Sequence, residues 1–108
     1  MSSRFDTATR IQLHRRLLDR GVVLATLLAD VLAGKDKAPA LEALGLLRPG
    51  IRPEEALRKA LDQVELRRGL LDRDDDRYGR CDVCGVDLGG VALAEMPWAD
   101  RCVTHAAS

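Results

Sequence analysis

The sequence predicts a mainly α protein: an antiparallel, coiled-coil-like helical hairpin followed by a small C-terminal zinc finger. Three observations lead there. Leu, Val and Ala dominate a composition that is 31% charged and has only Phe5, Tyr78 and Trp98 as aromatics, a mixture typical of long amphipathic helices. Two stretches repeat apolar residues at three- and four-residue steps, and a loop containing Gly and Pro separates them. All three cysteines and one of the two histidines fall into Cys81-x2-Cys84, then seventeen residues, then Cys102-x2-His105. A chain of 108 residues holds one domain plus a metal-stapled module and cannot bury a large core. The expected division is a helical hairpin over 1–76, with a tip loop around 34–52, and a finger over 77–108.

The first helix is expected to start at an Asp6 or Thr7 cap and to run to about Ala33, where Gly34 provides a stop. Its apolar face reads as Ile11, Leu17, Leu18, Val22, Leu24, Leu28, Val31 and Leu32. Gly21 lies in its interior and costs about 1 kcal/mol relative to Ala. It is either a tolerated surface glycine or a point of close packing against the second helix.

In the connecting loop, Pro39 and Gly45 bracket one short helical turn, and the leucines from Leu41 to Leu47 are expected to pack across the end of the hairpin. The second helix starts near Pro53, whose ring suits a first-turn position, and Glu54 and Glu55 complement the positive end of its dipole. Ala56, Leu57, Ala60, Leu61, Val64 and Leu71 continue its apolar face, with Arg68 on the same line. Helices of roughly 27 and 24 residues would be about 40 and 36 Å long, a match that favours antiparallel pairing. Asp74-Asp75-Asp76 opposes the dipole at the C-terminal end, so fraying near Arg73 and a solvated acidic linker are expected.

The four ligands read as one metal site. Each x2 pair is a knuckle that can place two donor atoms on one ion, and the intervening stretch can fold back to join the pairs. Three thiolates and an imidazole close a tetrahedral shell around Zn2+ and leave no open position for activating water, which makes the metal structural. Gly85 after Cys84 supplies the positive φ that lets the following N–H groups turn toward sulfur. A disulfide plus a spare thiol, or a thioredoxin-like CxxC, fits less well: the cysteine count is odd and no βαβ pattern precedes the motif. No secretory signal or membrane-spanning run is apparent, and a reducing, cytoplasmic compartment is expected. Trp98 is expected to cover Val86, Leu88, Leu93 and Val103 and part of a helix end.

The residues around the ligands are more specific than the ligands themselves. Tyr78-Gly79, Cys81-Asp82-Val83-Cys84-Gly85, Leu93, Pro97 and Cys102-Val103-x-His105 resemble the DksA/TraR zinc-finger family, with His105 where a fourth Cys is usual. The close resemblance covers residues 77 to 105. It implies a hairpin inserted into the secondary channel of bacterial RNA polymerase, its tip near the catalytic Mg2+ and its finger at the channel rim, modulating initiation. RNA polymerase is then the implied partner. The implied tip residues are Lys35, Asp36 and Lys37, although the acidic Asp-x-x-Asp tip of the best-known members is reduced here to Asp36. Met96 and Ala106 stand where relatives that bind guanosine tetraphosphate are often basic, so alarmone binding is not expected.

Seventeen basic and seventeen acidic residues balance, which argues against direct, sequence-specific nucleic-acid binding. No membrane contact is expected. An enzyme is disfavoured: of the only histidines, His14 and His105, one is an expected ligand and the other sits on a charged helix face. The alternative reading is a zinc-stabilised helical adaptor that binds another protein through its leucine-rich tip.

Overall fold

The computed structural model describes residues 5–105, which form four helices: α1 (Thr7–Leu32), α2 (Ala38–Ala43), α3 (Pro53–Asp72) and α4 (Gly90–Glu95). The described chain is mainly helical and has no strand; an isolated antiparallel bridge joins Arg80 and Asp87. None of its helices is long and apolar enough to cross a membrane.

Local chemistry sets the helix ends. The Asp6 carboxylate accepts from the Thr9 N–H at 2.7 Å, capping α1, and these hydrogen bonds hold the Asp6 pKa below its ordinary value. At the other end Gly34, at φ +84°, lets its own N–H reach Val31 O and the Lys35 N–H reach Asp30 O, each at 3.0 Å. This is a Schellman closure. Gly45 closes α2 in the same way, with Leu46 N–H on Leu41 O at 2.9 Å. The third closure falls on a non-glycine: Asp74 takes φ 55°, and the Asp75 N–H bonds to Leu70 O at 2.9 Å.

α3 thus ends where expected, at Asp72 with Arg73 as its C-cap, and Asp76 is 74% exposed, but the acidic run is ion-paired as well as solvated. Asp74 pairs with Arg10 at 2.8 Å, Asp75 with Arg77 at 2.8 Å and Asp76 with Arg80 at 3.3 Å. The carboxylates that oppose the helix dipole are instead neutralised by arginines on α1 and in the following turn.

α1 and α3 pack in opposite directions. Arg10 near the start of α1 donates to Leu71 O near the end of α3 at 2.9 Å, His14 lies 3.2 Å from Asp72, and mid-helix Gly21 faces Val64. Their core is Leu13, Leu17 and Leu24 against Leu57, Ala60, Val64, Leu70 and Leu71, with Leu41, Tyr78 and Leu93 added from outside the pair. The expected α1 face needs correction, because Ile11, Leu18, Val22 and Leu32 are 44–67% exposed while Leu13 is buried. α1 carries two apolar rows at helical spacing. Residues 13, 17, 24 and 31 face inward; 11, 18, 22 and 32 lie on the opposite side, and periodicity alone does not choose between them. On α3 the arginine in the core is Arg67, 2% exposed, not Arg68.

Residues 77–105 fold back along the helices. Tyr78 donates to Pro97 O at 2.8 Å, Arg16 to Glu95 O at 3.2 Å and Gln63 to Trp98 O at 2.9 Å. The Arg20 guanidinium sits 4.3 Å from the Trp98 ring centroid. Trp98 thus packs on the middle of both long helices. It does not cover Val86 or Val103, which are 49% and 97% exposed.

Candidate metal centre

The first ligand pair sits in a loop folded by its own backbone. Leu88 N–H bonds to Gly79 O at 2.8 Å and Cys81 N–H to Val86 O at 2.9 Å, while Gly85 N–H returns to Cys81 O at 2.9 Å. Gly85 has φ +76°, a conformation a side chain would strain. The Val83 N–H points at Cys81 Sγ, 3.4 Å away. The second pair is a tighter turn, closed by His105 N–H on Cys102 O at 3.0 Å, and Asp82 N–H on Asp100 O at 2.8 Å joins the two.

Fold-back brings all four predicted ligands together: one donor atom from each of Cys81, Cys84, Cys102 and His105 lies within 4.8 Å of every other. A tetrahedron with metal–sulfur bonds of about 2.3 Å and metal–nitrogen bonds of about 2.0–2.1 Å has S···S edges of about 3.8 Å and S···N edges of about 3.6 Å. Cys84 Sγ is 3.8 Å from Cys102 Sγ, and His105 Nδ1 is 3.6 Å from Cys81 Sγ and 3.2 Å from Cys102 Sγ. The donors thus already stand near the spacing that a shared ion requires. All three cysteines are free thiols, so no disulfide competes for them.

The electrostatics suit a cation. Burial opposes ionisation of Cys81, but backbone N–H groups of Cys102, Cys84 and Val83 and the Cys84 side chain bring its pKa down to about 6. Cys102 is also lowered, its hydrogen bonds with His105 outweighing burial, and the two thiols in turn raise His105. Cys84 is shifted the other way: the Val86 N–H lowers it, but burial and the neighbouring Cys81 and Cys102 thiols raise it, so without an ion the thiolate character is confined to Cys81 and Cys102.

The three tip residues lie apart from this cluster, in the α1–α2 turn beyond the end of α1 at Leu32, itself about 18 Å along the helix from Arg20. Asp36 accepts from the Ala38 N–H at 3.0 Å, and Lys35 and Lys37 each approach Asp30 at 3.5 Å. Sequence reasoning missed three side chains that seat the cluster on the helices: Arg67, Arg20 and Asp82. Arg67 Nη2 meets Asp82 Oδ2 at 2.6 Å, and a charged residue on a helix offers no local sign that a distant segment will bury it.

A comparison with family models finds no match. Comparisons with curated proteins and with solved structures find none either.

Proposed function

We propose that this chain is a zinc-stabilised, DksA/TraR-like regulator in which the α1–α3 hairpin enters the RNA polymerase secondary channel and modulates initiation. The observation that carries the reading is the Cys81–Cys84–Cys102–His105 cluster, gathered within 4.8 Å on the flank of two oppositely directed helices. Zinc is the ion of choice because three sulfurs and one imidazole satisfy its tetrahedral preference. The metal is structural: with four protein ligands it has no open position, and the protein is not an enzyme.

Leu41 is 1% exposed, and Leu44 and Leu46 pack against the core. That takes most of the leucine-rich segment out of reach of a partner and weakens the adaptor reading. Outward at that end lie the Gly34–Asp36 turn and, beyond it, Glu42, Leu47 and residues 48–50; Asp36 is the one carboxylate in the turn between Gly34 and Pro39 and is the group that would act near the polymerase catalytic centre. Two steps test this. Tagged protein should retain core polymerase from a bacterial lysate, and Asp36→Ala should keep polymerase binding and zinc content while abolishing the change in transcript yield. Absence of polymerase from the retained fraction refutes the partner; a fully active Asp36→Ala variant refutes the role of the tip.

A further inference from the structure

We propose that Arg67 is a positioning residue of the metal centre: from α3 it holds Asp82, and through Asp82 both ligand pairs, so that metal occupancy and the seating of α3 are one linked equilibrium. The inference rests on the reading that the four donors hold a metal.

The linkage is a short chain of bonds. Arg67 is 2% exposed, in the core of α3, and its Nη2 donates to Asp82 Oδ2 at 2.6 Å. Asp82 lies between Cys81 and Cys84, and its backbone N–H donates to Asp100 O at 2.8 Å, two residues before Cys102. One residue is therefore fastened to the long helix by its side chain and to the second ligand pair by its main chain. Any rotation of the first knuckle that moved Cys81 or Cys84 off the ion would break one of these bonds.

The rest of the Arg67 side chain argues against a filling role. Its Nε and Nη1 are buried with no protein partner. An apolar side chain of similar volume would fill the position without burying a charge and two unpaired donors, and such replacements are commonly neutral or stabilising. What an apolar residue could not do is orient Asp82. Partners of this outer kind fix the direction of metal ligands, and losing one typically weakens metal binding about 10- to 100-fold. Reciprocity follows: whatever Arg67 contributes to metal affinity, the metal returns to the packing of α3.

The test uses the full chain as parent, Arg67→Met, Asp82→Ala and the double variant. Zinc affinity is measured by competition with a chromophoric chelator, and the ligand field by the visible spectrum after Co2+ substitution. Each single variant is expected to lose about 10- to 100-fold in affinity with an altered Co2+ spectrum, and the double variant to lose little more than the weaker single one, because both remove the same bond. Asp82, 48% exposed, supplies a variant that breaks the bond without touching the core, should Arg67→Met fail to fold. Unchanged affinity and spectrum in Asp82→Ala, which removes the acceptor for Arg67 Nη2, overturn the proposal, as does additive loss in the double variant. A parent that binds no zinc overturns the metal reading itself, which is a separate result from a zinc-loaded parent whose variants bind equally well.

Discussion

Replacing Tyr78 by Phe should weaken the fold at neutral pH and remove a defined loss of stability at alkaline pH. Tyr78 is 1% exposed. Its ring meets Phe5 edge-on at 5.7 Å, and its hydroxyl is the donor to Pro97 O at 2.8 Å. Burial pushes the phenol up to about 12, with the Arg67 charge acting weakly in the other direction. In the unfolded chain it titrates near 10. The folded state therefore holds this proton more tightly; the stabilisation is complete below pH 10 and is lost as pH rises toward 12. Two pKa units correspond to about 3 kcal/mol at most. In Tyr78→Phe that alkaline decline disappears, while at neutral pH the Pro97 carbonyl loses its donor at a cost of about 1–3 kcal/mol. Chemical denaturation of parent and variant between pH 8 and 12 measures both effects, and the difference between them cancels the titration of Lys and Arg. Because Tyr78 is the chain's one tyrosine, phenolate absorbance in the near ultraviolet follows it directly. A phenol that titrates near 10 in protein still folded, or a variant with the same alkaline decline as the parent, would refute the reasoning.

The other predictions concern packing. Gly21→Ala should stabilise by about 1 kcal/mol, since an added Cβ would meet Val64 Cγ1 at 3.8 Å, an ordinary contact; a lower melting temperature would show that the helices approach more closely than this. Leu24→Ala should cost about 2–5 kcal/mol, whereas Val22→Ala, on the exposed row, should stay within about 0.5 kcal/mol; equal losses in thermal denaturation would place both rows in a core. Trp98→Ala should lower the melting temperature and free Arg20, whose Nε is buried without a protein partner. An unchanged melting temperature would mean that the indole does not seat residues 77–105 on the helices.

What could be read in the sequence was local. Asp6, Gly34 and Pro53 act within one helical turn of themselves, and each caps, closes or starts a helix where its chemistry says it should. The ligand cluster was legible for the same reason: each x2 pair is a local device, and four metal-type side chains in so short a stretch have few other uses. The inward face of α1 was half legible: Leu17, Leu24, Leu28 and Val31 lie on the core as read, but Ile11, Leu18, Val22 and Leu32 share the helical periodicity and Leu13 was missed, because only α3 decides which row is buried. Nor was the burial of Arg67 or the position of Trp98. Both depend on residues 77–105 folding back against the middle of the helices, a long-range choice made by contacts such as Gln63 with Trp98 O and Arg20 with the indole. In the acidic run only the Asp74 pairing is of this kind, since Arg10 lies 64 positions away in the chain and 2.8 Å away in space; the partners of Asp75 and Asp76, Arg77 and Arg80, are two and four residues on.

The most direct test of the account is the metal content of the purified chain. Protein made with zinc present and freed of loosely held ions is predicted to contain one zinc per chain by elemental analysis, since four donors within 4.8 Å of one another could hold one ion and a Cys3His set suits zinc. Well under one zinc per chain, or another metal held in its place, would contradict it.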